Sequence, residues 1–77
     1  MNEKIIKILG EIRPEFDFTG SGDFIEEGML DSFDVVSLVT ALDEEFSISI
    51  DGMDIKPENF SSVQNIAALL IKKGVQK

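Results

Sequence analysis

A serine directly follows an aspartate at Asp31-Ser32, at the head of an amphipathic stretch of the chain. A serine hydroxyl becomes a nucleophile when a neighbouring base takes its proton. The 77 residues hold no His and no Cys, and the lysines lie far from Ser32 in sequence. Any covalent chemistry at Ser32 therefore has to be run by another protein. The pair also has a plain structural use, because Asp and Ser are favoured helix caps worth about 1 kcal/mol. The missing cysteines further exclude a disulfide framework, a thiolate zinc site and an intrinsic thiol nucleophile.

Other candidate chemistry fails on spacing or charge. Gly20-Ser21-Gly22 with Gly28 superficially suits a phosphate loop, but no Lys follows, no strand precedes, and Asp23, Glu26 and Glu27 repel phosphate. Asp51, Asp54 and Glu58 lack the D-x-D-x-D-G order of a calcium loop. Glu44 and Glu45, adjacent on a helix, point about 100° apart and cannot share one substrate proton. No metal site and no enzyme activity are expected.

Seven Lys+Arg against fifteen Asp+Glu give a net charge of −8, while 43% hydrophobic residues make the chain too apolar for a disordered acidic tail. One small folded domain over residues 1–77 is expected, burying roughly 60% of its unfolded surface. Residues 14–55 contain no basic side chain and twelve carboxylates. Such a surface repels nucleic acid and anionic membranes, and no run reaches the roughly 20 apolar residues of a membrane span. Its natural partners are basic protein faces. A cytoplasmic, soluble monomer is the expectation.

The elements that must position Ser32 follow from apolar periodicity. Ile5, Ile8, Leu9 and Ile12 form the stripe of a first helix, capped by Asn2 and stopped by Pro14. A long loop follows, anchored by Phe16, Phe18, Phe24, Ile25, Met29 and Leu30. The second helix starts near Asp31-Ser32 and reaches Phe46, with Val35, Leu38, Val39, Leu42 and Phe46 on its buried face. Phe33, Val36 and Thr40 fall on the margin of that stripe and should be partly buried. Ser47 to Ile50 reads as an extended connector, and Asp54 to Phe60 holds one short helical turn with Pro57 early in it. In the third helix either Ser61 pairs with Gln64 or Ser62 caps with Asn65, Val63, Ile66, Ala67 and Leu70 supply the stripe, Lys72 and Lys73 occupy the last turn, and Gly74 ends it. The fold class is all-α: a small antiparallel four-helix bundle of three main helices and one short one, with a long loop after the first.

The run Gly28-Met29-Leu30-Asp31-Ser32-Phe33-Asp34-Val35-Val36 resembles the Asp-Ser-Leu attachment motif of the phosphopantetheine-dependent carrier proteins, the acyl, peptidyl and D-alanyl carriers. Leu42, Glu44, Glu45, Phe46 and Ile48 resemble that family's A-L-E-E-E-F-x-I-x-I segment, and Phe60 to Leu70 resembles its closing helix. The resemblance implies that Ser32 takes a 4′-phosphopantetheine arm from coenzyme A through a separate Mg²⁺-dependent phosphopantetheinyl transferase, with Asp31 assisting. It implies cargo held as a thioester on the arm, an acyl- or aminoacyl-adenylating loading enzyme, and downstream transferases or synthases with basic patches. Asp34, Asp43, Glu44 and Glu45 would be the docking carboxylates. Phe33, Val36, Thr40, Leu42 and Ile66 would border a cargo pocket between the second and last helices. The alternative is an unmodified acidic helical adaptor.

Three departures narrow the resemblance. Phe33 replaces the common Leu after the serine, Ser37 stands where fatty-acid carriers usually have Glu, and Leu30 replaces a small residue before the aspartate. Leu-Asp-Ser-Phe is more similar to D-alanyl carriers and stand-alone carriers of specialised pathways than to housekeeping fatty-acid carriers.

Overall fold

A computed structural model describes residues 1–20 and 22–76; Ser21 of the Gly20-Ser21-Gly22 loop and Lys77 lie outside them. Three α-helices, α1 (Asn2–Ile12), α2 (Ser32–Phe46) and α3 (Val63–Lys72), pack around one apolar core. The fourth, short element consists of two 3₁₀ turns, Gly52–Asp54 and Pro57–Phe60. They stay separate because Pro57 has no N–H to donate and holds Lys56 extended at φ −122°, ψ 143°. Among the described residues there is no strand.

Each helix buries a stripe. Ile5 and Leu9 of α1, Leu38 and Leu42 of α2 and Ile66 and Leu70 of α3 are all wholly buried. Lys4 at the start of α1 pairs with Glu45 at the end of α2 at 3.4 Å, while Arg13, just past α1, reaches Asp34 in the first turn of α2 at 2.8 Å. The two helices therefore run antiparallel. Phe46, expected on the buried face, sits at its edge with the Lys4 ammonium 5.9 Å above its ring.

Asn2 does not cap α1. Met1 occupies the capping position and its carbonyl accepts the Ile5 amide at 3.2 Å, which places Asn2 inside the helix. At α3 the choice falls to Ser62, whose side chain accepts from the Asn65 amide at 3.1 Å. Ser61 turns inward, its backbone carbonyl accepting the Phe24 amide at 2.8 Å. Lys73 lies just past the end of α3, and Gly74, at φ 100°, takes the left-handed turn that ends it.

The loop between α1 and α2 is built. Phe18 and Phe24 meet edge to face at 5.0 Å, and Phe18, Phe24 and Leu30 are buried. The Asp23 carboxylate caps a turn by accepting the Ile25 and Glu26 amides, and Gly28, at φ 75°, turns the chain so that the Met29 and Leu30 amides both reach the Phe24 carbonyl. Leu30 is thereby seated in the core and delivers Asp31 and Ser32 to the head of α2.

Candidate functional site

Asp31 is the N-cap of α2. Its Oδ1 accepts the Asp34 amide at 2.9 Å while Asp34 Oδ2 accepts the Asp31 amide at 3.0 Å, a reciprocal capping box with Asp in place of the usual Glu. Ser32 is the first helical residue and is exposed. No hydrogen bond engages its hydroxyl among the described residues, because the cap is made by Asp31. The Asp34 amide is the main reason that the Asp31 carboxyl is held below the usual aspartate range, with the Arg13 charge adding to it.

Beside Ser32 lies a groove of about 380 Å³ lined by Ile25, Leu30 and Val35 on one side and by Ile55, Lys56 and Pro57 on the other. Asp31, Ser32 and Val36 complete its wall. Of the five residues expected to border a cargo pocket, only Val36 lines this groove. Leu42 and Ile66 are wholly buried in the core, and Thr40 is exposed, its hydroxyl donating to the Val36 carbonyl at 3.2 Å. The margin expected to be partly buried is open: Phe33 is 84% exposed and Val36 58%. Both lie off the Val35-Leu38-Val39-Leu42 stripe, and of the two only Val36 lines the groove with Ile55, Lys56 and Pro57. Sequence reasoning missed Ile55, Lys56 and Pro57 as neighbours of Ser32, since a turn-rich stretch carries no period that would aim it.

The four proposed docking carboxylates differ in freedom. Asp34 is occupied by the capping box and by Arg13, and Asp43 Oδ1 accepts the Ile50 amide at 3.0 Å, pinning the connector after α2. Glu44 is exposed, and Glu45 is exposed in a surface pair with Lys4. Asp51 and Asp54, considered above as part of a calcium loop, both pair with Lys73 instead. Arg13 is the site residue most easily overlooked in sequence; its signal was that it alone is basic between Lys7 and Lys56.

A family described as phosphopantetheine attachment site matches residues 3–70. The chain belongs to this family. Among curated proteins, an acyl carrier protein of Bdellovibrio bacteriovorus is 43% identical over 51 residues, a stretch covering 66% of this chain and 63% of that relative's length. No solved structure matches it significantly. Membership brings with it a covalently attached 4′-phosphopantetheine and does not favour the unmodified adaptor.

The residues present fit that group. An exposed serine hydroxyl with no hydrogen-bond partner among the described residues is free to be esterified, and it stands at the positive end of α2, where a phosphodiester anion is favoured. The apolar groove beside it can shelter part of a flexible arm. The arm, once attached, supplies the thiol that the chain itself lacks. No helix among the described residues is long and apolar enough to cross a membrane.

Proposed function

We propose that this protein is an acyl or aminoacyl carrier with Ser32 as the residue that bears the 4′-phosphopantetheine arm, holding cargo as a thioester and passing it between enzymes. The observation that carries this reading is the head of α2, where the capping work is done by Asp31 and Asp34 and the Ser32 hydroxyl is left exposed and unbonded. The chain's own part is presentation. Asp31 fixes the first turn, Ser32 offers the hydroxyl, and the deprotonation has to come from the phosphopantetheinyl transferase, because neither His nor Cys is present.

Docking is assigned to the exposed carboxylates of α2, chiefly Glu44 and Glu45, with Asp34 and Asp43 adding to the field of the face. Exposed charges of this kind raise encounter rates and are screened by salt, which suits a carrier that must bind and release several partners. Exposed Phe33 and Val36 beside Ser32 supply the apolar part of the contact. The carrier has no catalytic activity of its own and works as a cytoplasmic monomer in this reading. Phe33, Ser37 and Leu30 support a specialised pathway fed by an adenylating enzyme over housekeeping fatty-acid synthesis. The test is loading: protein co-expressed with a transferase, then given ATP, a carboxylic or amino acid and an adenylating enzyme, should gain a hydroxylamine-labile mass. A mass gain resistant to hydroxylamine contradicts the thioester.

A further inference from the structure

Arg13 closes α1, its amide donating to the Leu9 carbonyl at 2.9 Å before Pro14 turns the chain away. Three different nitrogens of its guanidinium are in use. Nε donates to Asp34 Oδ2 at 2.8 Å, Nη2 to Asp31 Oδ2 at 3.2 Å, and Nη1 to Glu15 Oε2 at 3.1 Å. Asp34 Oδ2 thus accepts both from Arg13 and from the Asp31 amide, while Asp31 divides its oxygens between the Asp34 amide and Arg13. Both members of the capping box are tied to a second helix, and Ser32 lies between them in the chain. A planar fork of fixed donors does this, where an ammonium would act as a single point charge.

We propose that Arg13 is a positioning residue for modification of Ser32: it locks the Asp31–Asp34 box from α1 and so holds the hydroxyl in one place for the incoming transferase. This rests on Ser32 being the attachment residue. The physical case is that a capping box at an exposed helix start is held only by its own two hydrogen bonds and frays readily, whereas a box clamped from a neighbouring helix moves with the core. The same guanidinium also offsets charge, since among the described residues it is the one cation paired with Glu15, Asp31 and Asp34. Its removal would leave the head of α2 more mobile and more negative. These two effects act on different kinetic constants. Mobility of the acceptor lowers kcat for arm transfer, and added negative charge speeds encounter with a basic enzyme and leaves KM unchanged or lower.

The experiment is a steady-state measurement of arm transfer from coenzyme A, with Mg²⁺ and a broad-specificity transferase, to the wild type, Arg13→Gln and Arg13→Lys. Circular dichroism first establishes that each is folded at the assay temperature. The expected result for Arg13→Gln is a kcat lowered about tenfold with no rise in KM, together with faster amide exchange at Asp34 and Val35 but not in α3. Arg13→Lys, which keeps the charge without the fork, should show the same split at smaller amplitude and carries the test if Arg13→Gln does not fold. A kcat within about twofold of the wild type, or a loss carried wholly by KM, overturns the proposal. Failure of the wild type itself to accept the arm would instead overturn the reading of Ser32 on which it rests.

Discussion

Asp31 and Asp34 cap each other, each side chain accepting the other's amide at 2.9 and 3.0 Å, so the residue between them that carries the hydroxyl, Ser32, is not needed to start α2. Ser32→Ala should therefore keep the fold and shift stability by no more than about 0.5 kcal/mol, since alanine is a good helix former at an exposed position. Asp31→Ala should destabilise by about 1 kcal/mol through loss of the cap. Urea unfolding of the two variants side by side distinguishes the roles; equal losses would mean that Ser32 carries capping work that the hydrogen bonds do not show.

Core position decides a second pair. Leu38 is wholly buried whereas Phe46 lies at the edge of the α1–α2 contact, partly covered and beneath the Lys4 ammonium. Leu38→Ala should cost about 2–5 kcal/mol, a large part of the roughly 4–12 kcal/mol expected for a domain of this length. Phe46→Ala should cost less than about 3 kcal/mol, below the range for a fully buried phenylalanine. Thermal unfolding ranks them, and a larger loss at Phe46 would contradict this packing.

Acid sensitivity should follow Asp54, a nearly buried carboxylate between Lys73 and Lys72. The Lys73 ammonium is the main cause holding its carboxyl below the usual aspartate range, with Lys72 helping against the cost of burial. Folded Asp54 thus stays ionised where unfolded aspartates take up protons. The stability it contributes is complete above about pH 4 and is lost as the pH falls through its lowered value. Lys73 is shifted the other way, upward by Asp54 and then Asp51, so its share is complete below about pH 10 and lost only at higher pH. Lys73→Met should make urea stability less steep in pH below about pH 4. An unchanged pH profile would show that the pair contributes nothing to folding.

Glu44 and Glu45 are exposed, and the Glu45 pair with Lys4 is a surface contact of little energetic weight. Glu44→Lys with Glu45→Lys should leave the melting temperature nearly unchanged while slowing transfer from partner enzymes, most strongly at low salt. Transfer rates unaltered at low salt would reduce the acidic face to a solubilising role.

Most of the architecture was legible because α1, α2 and α3 each bury one periodic stripe, and Asp31, Ser62 and Gly74 mark helix ends by chemistry that acts within a few residues. Leu69, buried beside Leu70, escaped the reading because the stripe of α3 is wider than the spacing drawn from Val63, Ile66, Ala67 and Leu70. The surroundings of Ser32 were harder to read. Ile55 and Pro57 lie between and at the start of two 3₁₀ turns, more than 20 residues beyond Ser32, and Arg13 reaches Asp31 across 18 residues of sequence, so no local period links either to the site. Phe33 and Val36 were assigned to a margin by helical angle alone, which cannot show that no neighbouring element covers them.

Intact-protein mass spectrometry decides whether Ser32 carries the arm. Wild type and Ser32→Ala would each be incubated with coenzyme A, Mg²⁺ and a broad-specificity phosphopantetheinyl transferase, with folding of both verified beforehand. The wild type should gain one phosphopantetheinyl group and Ser32→Ala none. A gain on both, or on neither, would contradict that role of Ser32.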